Sequence, residues 1–263
     1  MTLNISFNEI AHAYEAQRAH PPEVAAQVGR AIAGVAGDGA LVLELGVGTG
    51  RIALPAAQAG LRVIGIDLAR EMLAVAQGRA GAANLPGPAP ALIQGDVARL
   101  PLREGLFDAV LAVHILHLVP DWRGALVEAV RVLRPGGVFI QGRDWRDPQS
   151  CAERLRARLR EAVMELLPGA RPPGAGAAIG QALAHLGGTP APEQVAAEWQ
   201  TEASPATLLA GMAARADAET WALDDALLEA AMGRVRSWAA SEWPDLDAPQ
   251  AIAQRFVLSV VRF

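Results

Sequence analysis

The sequence predicts an α/β fold built on a mostly parallel sheet, and three observations predict it. Residues 41–45 form a short apolar run of the kind found in buried parallel strands. A glycine-rich turn follows at 46–50 and leads directly into an alanine- and leucine-rich stretch that suits a helix. Further apolar runs then alternate with helical stretches as far as residue 141, which implies right-handed crossovers between parallel strands.

The glycine turn is the first candidate site. Gly46, Gly48 and Gly50 lack a Cβ atom, so the backbone can bend sharply and a ligand can approach it closely. The free N–H groups at the start of the following helix face the same ligand. Glu44 is the only charged residue in the preceding strand. A strand, a glycine turn and a helix in this order are typical of a nucleotide-type site.

The second predicted strand, 61–66, ends at Asp67, which lies 21 positions after Gly46. Doubly wound folds place a carboxylate at about this distance, where its two oxygens accept from the two ribose hydroxyls. The alternative is that Asp67 caps the helix that bears Met72. Met72 itself either lies against a purine ring or packs in the core.

The third predicted strand, 91–94, is followed by Asp96 and Val97. Asp96 can accept a hydrogen bond from an exocyclic amine, and the Val97 backbone N–H can donate to a ring nitrogen. These two residues therefore predict adenine recognition. The alternative is an aspartate that satisfies the backbone of its own turn.

The fourth predicted strand, 109–113, ends at His114, and a helix is predicted over 122–133. Arg134 to Gly137 break that helix before a fifth strand at 138–141. Asp144 follows this strand. Because ligands lie at the carboxyl ends of strands in open α/β sheets, His114 and Asp144 are candidate site residues.

These motifs together resemble the class I, Rossmann-like S-adenosylmethionine-dependent methyltransferases, in particular their small-molecule type. The resemblance covers residues 38–143 and includes a stretch after the fourth strand, Leu116 to Asp121. It implies S-adenosyl-L-methionine as cofactor. It places Glu44 and the glycines around the methionine part, Asp67 and Leu68 at the ribose side, and Asp96 and Val97 at the adenine. The other motifs that carry it are Leu43 to Gly50, Gly95-Asp96, Phe107-Asp108 and Leu133 to Gly137.

The resemblance also implies a seven-stranded sheet whose last strand is antiparallel. On this basis residues 1–147 are expected to form the cofactor-binding core with an N-terminal helical lid. Helical insertions at 148–190 and 205–248 are expected to form a substrate cap. The last two strands of the core are then expected within 191–204 and 249–263.

The N-terminal helical stretch carries Tyr14, the only tyrosine, and Arg18. Either side chain can reach a ligand carboxylate if this stretch covers the site, which makes Arg18 a candidate cofactor residue and Tyr14 a candidate substrate residue. The alternative is an ordinary amphipathic helix packed on the sheet.

Composition excludes several kinds of chemistry. All 23 basic residues are arginine, so Schiff-base lysines and a Walker A lysine are excluded. Cys151 is the only cysteine, which excludes an intramolecular disulfide and favours a reducing, cytoplasmic location. The net charge of −5 disfavours nucleic acid as a partner, and we expect no membrane partner. Four alternating arginines at 154–160 are expected on a solvated helix.

Methyl transfer from a sulfonium is an in-line displacement in which the protein aligns and desolvates the acceptor. A protonated acceptor needs a base, and His114 is the candidate. His117 and Asp144 are candidate substrate residues. The alternative for His117 is packing or a hydrogen bond to the backbone, and Asp144 can either bind a substrate amine or cap the next helix. The spacing of His114 and His117 suits zinc, but no third ligand stands nearby, so no metal is expected.

Two other functions fit part of the sequence. An NAD-dependent oxidoreductase also uses a glycine turn and an acid such as Asp67. Its usual spacing is Gly-x-Gly-x-x-Gly, however, and here Gly50 comes one position too early. A non-catalytic S-adenosylmethionine-binding sensor or scaffold is the second alternative.

Overall fold

A computed structural model of the chain describes residues 19–168, 176–216, 218–221 and 223–263. These residues form two compact units. The larger unit comprises residues 19–144, 176–197 and 256–263, and the smaller comprises 145–168, 198–216, 218–221 and 223–255. Tyr14 and Arg18, the candidates in the N-terminal stretch, lie outside the described residues.

The strands form one sheet with the order β3-β2-β1-β4-β5-β8-β6, and β7 also pairs with β8. Neighbouring strands from β3 to β5 are parallel, whereas β6 is antiparallel to β8. The strands are β1 (Leu41–Leu45), β2 (Arg62–Asp67), β3 (Ala91–Gln94), β4 (Phe107–Val113), β5 (Leu133–Arg146), β6 (Thr189–Pro190), β7 (Gln194–Ala203) and β8 (Gln250–Arg262).

The helices of the described chain follow the alternation that the sequence predicts. None of them is long and apolar enough to cross a membrane. They are α1 (Pro22–Ala36), α2 (Ala53–Gln58), α3 (Arg70–Ala82), α4 (Trp122–Val132), α5 (Cys151–Leu166), α6 (Gly176–His185), α7 (Pro205–Ala213), α8 (Ala218–Trp221) and α9 (Asp225–Glu242), with a 3₁₀ turn at Leu116–Leu118.

The predicted α/β class, with a mostly parallel sheet and an antiparallel strand, is confirmed. The structure adds the two-residue strand β6, which pairs through Thr189 and Pro190 with the end of β8. Strand β5 is longer than the predicted 138–141 and continues to Arg146, beside the 13-residue β8. Asp144 therefore lies within β5 and not after it.

The core of the larger unit explains why its strands are continuous apolar runs. Four of the five residues of β1 are buried, as are most residues of β4, because helices cover both faces of a parallel sheet. Helix α6 belongs to this unit and buries Ile179 and Leu183 in the same core as Phe107 and Phe139. The later part of the predicted insertion 148–190, which includes α6, thus packs with the sheet core.

The smaller unit has its own core, formed by the apolar faces of α5, α7 and α9. The four alternating arginines lie on α5, and each is paired with a carboxylate, so they do not form a patch for phosphates. The pairs are Arg154 with Glu242, Arg156 with Glu153 and Glu219, Arg158 with Glu161 and Glu165, and Arg160 with Glu219.

Gly29 of α1 is buried against α2, and a Cβ atom there would lie 2.2 Å from the backbone oxygen of Pro55. Gly34 lies on the same helix with open space around it. We expect Gly29→Ala to destabilise the fold by about 1–3 kcal/mol because a backbone atom cannot move aside cheaply. Gly34→Ala should stabilise it by up to roughly 1 kcal/mol through helix propensity.

Thermal unfolding of the two variants tests this packing. A difference of about 2–4 °C in Tm per kcal/mol is expected for chains of roughly this size. Equal Tm values for Gly29→Ala and Gly34→Ala would contradict the close approach of α1 to α2.

Candidate active site

The carboxyl ends of β1 to β5 meet at one edge of the sheet, which brings several of the predicted residues together. The strand registers fix this alignment: Leu45 lies opposite Ile66 and Ala112, Asp67 lies opposite Gln94, and Val113 lies opposite Gly142. The loops that leave the strands at this edge therefore start side by side. They carry the glycine turn, Asp67, Asp96 and His114, and Asp144 lies two residues beyond Gly142.

The glycine turn has the conformation that its sequence requires. Gly46, Gly48 and Gly50 all have positive φ angles, of 67°, 53° and 77°. The backbone N–H groups of Gly46 and Val47 donate to the Ile66 oxygen at 2.8 and 3.0 Å, which ties the turn to β2. A Cβ atom at Gly46 would lie 2.5 Å from the Ile115 side chain, so position 46 has room only for glycine.

Asp67 is held against the glycine turn. Its Oδ2 accepts from the Gly48 N–H at 2.8 Å, and its Oδ1 accepts from the Ala69 N–H at 2.9 Å. Burial raises the pKa of this carboxyl, and the backbone donors at Ala69, Gly48 and Leu68 oppose that rise. The N-cap of α3 is Ala69, so Asp67 does not take the capping position that was its alternative interpretation.

Glu44 is a buried carboxyl with an unsatisfied oxygen. Its side chain is 2% exposed, and within the described chain its Oε2 has no hydrogen-bond partner. Burial raises the pKa of Glu44 to about 8; Asp67 adds to the rise, whereas the charge of Arg51 and the Ala53 backbone N–H oppose it. Such a group needs a donor or a positive charge from a ligand to become a stable anion.

The predicted adenosyl-side residues differ in accessibility. Leu68 is 72% exposed, directly after Asp67. Asp96 is exposed, and its Oδ1 accepts a hydrogen bond from the Ala98 N–H at 2.9 Å, as expected for an aspartate that satisfies the backbone of its own turn. This bond uses one oxygen and is compatible with adenine recognition by the other. Met72 and Val97 are buried, which fits core packing for the Met72 side chain.

Asp144 lies at the centre of a polar cluster whose members are far apart in the sequence. Its Oδ1 lies 2.7 Å from Nε2 of His20, and its Oδ2 lies 2.9 Å from Nε2 of His114 and 3.3 Å from Nη1 of Arg51. His20 and Arg51 were not among the predicted site residues. Arg51 follows Gly50 directly, which is the one sequence signal for it; His20 has no comparable signal.

A cavity of about 80 Å³ opens beside this cluster in the larger unit. Polar and apolar side chains share its lining: His114, His117, Gln141 and Arg143 on the polar side, and Ile115, Leu116 and Ile179 on the apolar side. Arg143 is held by two hydrogen bonds to Glu193, at 3.0 and 2.9 Å. The structure thus places His117 with His114 at one cavity.

Metal and thiol chemistry have no built site in the described ranges. No group of three or more histidine, cysteine and acidic side chains is placed to hold a metal ion there. Cys151 is buried, and burial raises the pKa of its thiol, which is the opposite of what a reactive thiolate needs.

Comparison with known proteins agrees with this geometry. Residues 43–141 match a family model described as a methyltransferase domain. A phosphatidylethanolamine N-methyltransferase of Cereibacter sphaeroides is 37% identical over 132 residues, which are 49% of this chain and 64% of that protein. A 37.1 kDa protein in transposon TN4556 of Streptomyces fradiae is 44% identical over 112 residues, 41% of this chain and 31% of that protein.

The fold is also found among solved structures. The YcgJ protein of Bacillus subtilis superposes with a TM-score of 0.58 at 17% identity, covering 90% of this chain and 97% of that chain. A likeness at this identity concerns the fold alone. The chain spans between 31% and 64% of the length of the two curated relatives above. The chain is therefore similar to methyltransferases over residues 43–141, the stretch that carries most of the motifs of the sheet edge.

Proposed function

We propose that this protein transfers a methyl group from S-adenosyl-L-methionine to a small-molecule acceptor by in-line displacement. The observation that carries the proposal is the convergence of the glycine turn, Asp67 and His114 at one edge of the sheet, beside a cavity. A displacement needs donor and acceptor held in line and shielded from water. The proposed donor site and the cavity lie at the ends of adjacent strands, β1 and β4.

The residues present fit the cofactor. Glu44 offers a buried oxygen without a partner in the described chain, beside a turn whose glycines leave room for a ligand. We propose that Glu44 and the glycines hold the methionine part, Asp67 and Leu68 the ribose side, and Asp96 and Val97 the adenine. When bound, the cofactor supplies an electrophilic methyl group on a sulfonium.

We propose that the acceptor binds in the cavity lined by His114 and His117. Its volume of about 80 Å³ and its mixed lining suit a small molecule with a polar reacting atom. A small acceptor is also supported by the net charge of −5 and by the arginines of α5, which are paired with carboxylates and offer no charged surface for nucleic acid.

Calorimetry with S-adenosylmethionine and S-adenosylhomocysteine tests the proposed cofactor site. Asp67→Asn should weaken binding by about 1–3 kcal/mol, roughly 5- to 150-fold in Kd, because an amide nitrogen cannot accept from a ribose hydroxyl. Asp38→Asn is the matched control, since Asp38 is exposed in the loop before β1, at the other end of that strand. Its Kd should stay at the wild-type value.

Two outcomes would count against the proposal. If the protein binds neither compound, the cofactor assignment for this chain is wrong. If the Kd of Asp67→Asn is unchanged, Asp67 does not belong to the site. Binding without release of S-adenosylhomocysteine on a broad panel of small metabolites would favour the non-catalytic sensor or scaffold.

A further inference from the structure

The Asp144 carboxylate is surrounded by groups that can donate hydrogen bonds to it. Its side chain is 18% exposed, and donors from three separate segments surround it: His20, His114 and Arg51. Burial by itself raises the pKa of Asp144, but hydrogen bonds from His114 and His20 and the charge of Arg51 hold that pKa well below its usual range. Asp144 is therefore an anion at neutral pH.

An anionic carboxylate fixes which nitrogen of the His114 ring carries the proton. Nε2 of His114 lies 2.9 Å from Oδ2 of Asp144, so Nε2 must be the donor. The backbone N–H of Asp144 lies 3.4 Å from the same nitrogen, which is too long to compete with a charge-assisted bond. Nδ1 of the neutral His114 ring then carries the lone pair and can accept a proton.

The backbone of His114 supports a functional role for this arrangement. Its φ angle is +51°, in the left-handed region that side-chain-bearing residues rarely adopt, directly after β4. Such a conformation costs about 1–3 kcal/mol and persists where the surroundings hold it. The Asp144 hydrogen bond is one such restraint, and His114 lines the cavity in which we propose that the acceptor binds.

His20 and Arg51 complete the surroundings of the carboxylate. Nε2 of His20 lies 2.7 Å from Oδ1, and the His20 ring packs edge-on against the buried Phe256 at a centroid distance of 5.4 Å. Arg51 reaches Oδ2 from the residue that follows the glycine turn. Both oxygens of Asp144 thus have partners within the protein itself.

We infer that Asp144 is a positioning residue, which holds His114 in the Nε2–H tautomer so that Nδ1 can take the proton of the methyl acceptor. The inference rests on the proposed function, methyl transfer, and adds the hydrogen bond that orients its base. As the acceptor's lone pair forms its bond to the methyl carbon, the carbon–sulfur bond breaks and sulfur keeps that electron pair. The acceptor's proton goes to Nδ1 of His114, and Asp144 stabilises the imidazolium that results.

The tautomer can be read by NMR without knowledge of the acceptor. Long-range ¹H–¹⁵N correlation spectra of ¹⁵N-histidine-labelled protein contain five rings, and His114→Gln assigns the His114 signals. At a pH alkaline enough for neutral imidazoles, wild-type His114 should show the Nε2–H pattern alone. In Asp144→Asn the Nδ1–H form should become populated, because an amide can both donate and accept.

Glu193→Gln is the matched control. It also replaces a carboxylate by an amide in the larger unit, but that carboxylate pairs with Arg143 and accepts from Ser259, and among the described residues it forms no hydrogen bond with His114. Its His114 signals should keep the wild-type tautomer. Wild-type protein with His114 in the Nδ1–H form, or Asp144→Asn with an unchanged tautomer, would overturn the inference. The wild-type spectrum decides the first point even if the variant does not fold.

Kinetic measurements distinguish a positioning role of Asp144 from a purely structural one. With an acceptor that is turned over, Asp144→Asn should lower kcat by about 10- to 100-fold, the range for residues that orient a functional group, with little change in the Kd of S-adenosylhomocysteine. Parallel losses in kcat and in that Kd would assign Asp144 a structural role. Wild-type protein that binds no cofactor would refute the proposed function, while the tautomer result would still stand by itself.

Discussion

His114→Ala lowers the rate of methyl transfer by about 10²- to 10⁴-fold, the usual contribution of a positioned base, and leaves cofactor affinity nearly unchanged. The reason is the place of His114 in the structure. It follows β4 at the edge where the strands end, contacts Asp144, and lines the cavity beside the glycine turn. Stopped assays of S-adenosylhomocysteine formation measure the rate, and calorimetry measures the affinity.

The control for this variant is His185→Ala. His185 ends α6, is exposed, and donates from Nδ1 to the backbone oxygen of Gln181 at 2.8 Å, within the same helix. Its removal should leave both rate and affinity at wild-type values. If His114→Ala weakened cofactor binding and left the rate at saturation unchanged, His114 would belong to the cofactor site and not to the acceptor.

His117→Ala separates the two histidines of the cavity. His117 lines the same space but lies in the 3₁₀ turn, and Asp144 is hydrogen-bonded to His114 and not to it. A lining role predicts a higher KM for the acceptor with a smaller loss in kcat than His114→Ala causes.

The part of the site that depends on local sequence could be predicted. The glycine turn requires positive φ at three positions, and only glycine adopts that conformation freely, so the spacing of Gly46, Gly48 and Gly50 identifies the turn. Asp67 could be found because the length of one βα unit fixes its distance from the turn. Both depend on fewer than about thirty consecutive residues, the span of a single supersecondary motif.

The polar cluster around Asp144 could not be predicted in the same way. Asp144 is separated by 124 residues from His20, by 93 from Arg51 and by 30 from His114. No periodicity links such positions; the sheet topology brings them together. The assignment of α6 to the core has the same cause, since Ile179 and Leu183 are buried against strands far away in sequence.

Glu44→Gln should remove a pH dependence that wild-type protein shows. Burial raises the pKa of Glu44 to about 8 in the folded chain, above its ordinary value of 4.5. The folded chain therefore keeps a proton that the unfolded chain releases between these two values, so stability falls as pH rises from about 4.5 to 8. The full effect is on the order of 5 kcal/mol, and a glutamine, which does not titrate, should abolish it.

Cofactor binding should be linked to the same proton. We propose that the cationic methionine part lies beside the unsatisfied Oε2 of Glu44, where a positive charge favours the anion. Binding below pH 8 then releases a proton, and affinity rises with pH by up to about tenfold per unit until Glu44 is ionised. Calorimetry in buffers of different ionisation enthalpy counts the released proton. If wild-type protein releases no proton, or if Glu44→Gln releases as many protons as wild type, the methionine part does not lie beside Glu44. Glu44 is the test because no other group at the glycine turn combines full burial with an unpartnered oxygen in the described chain.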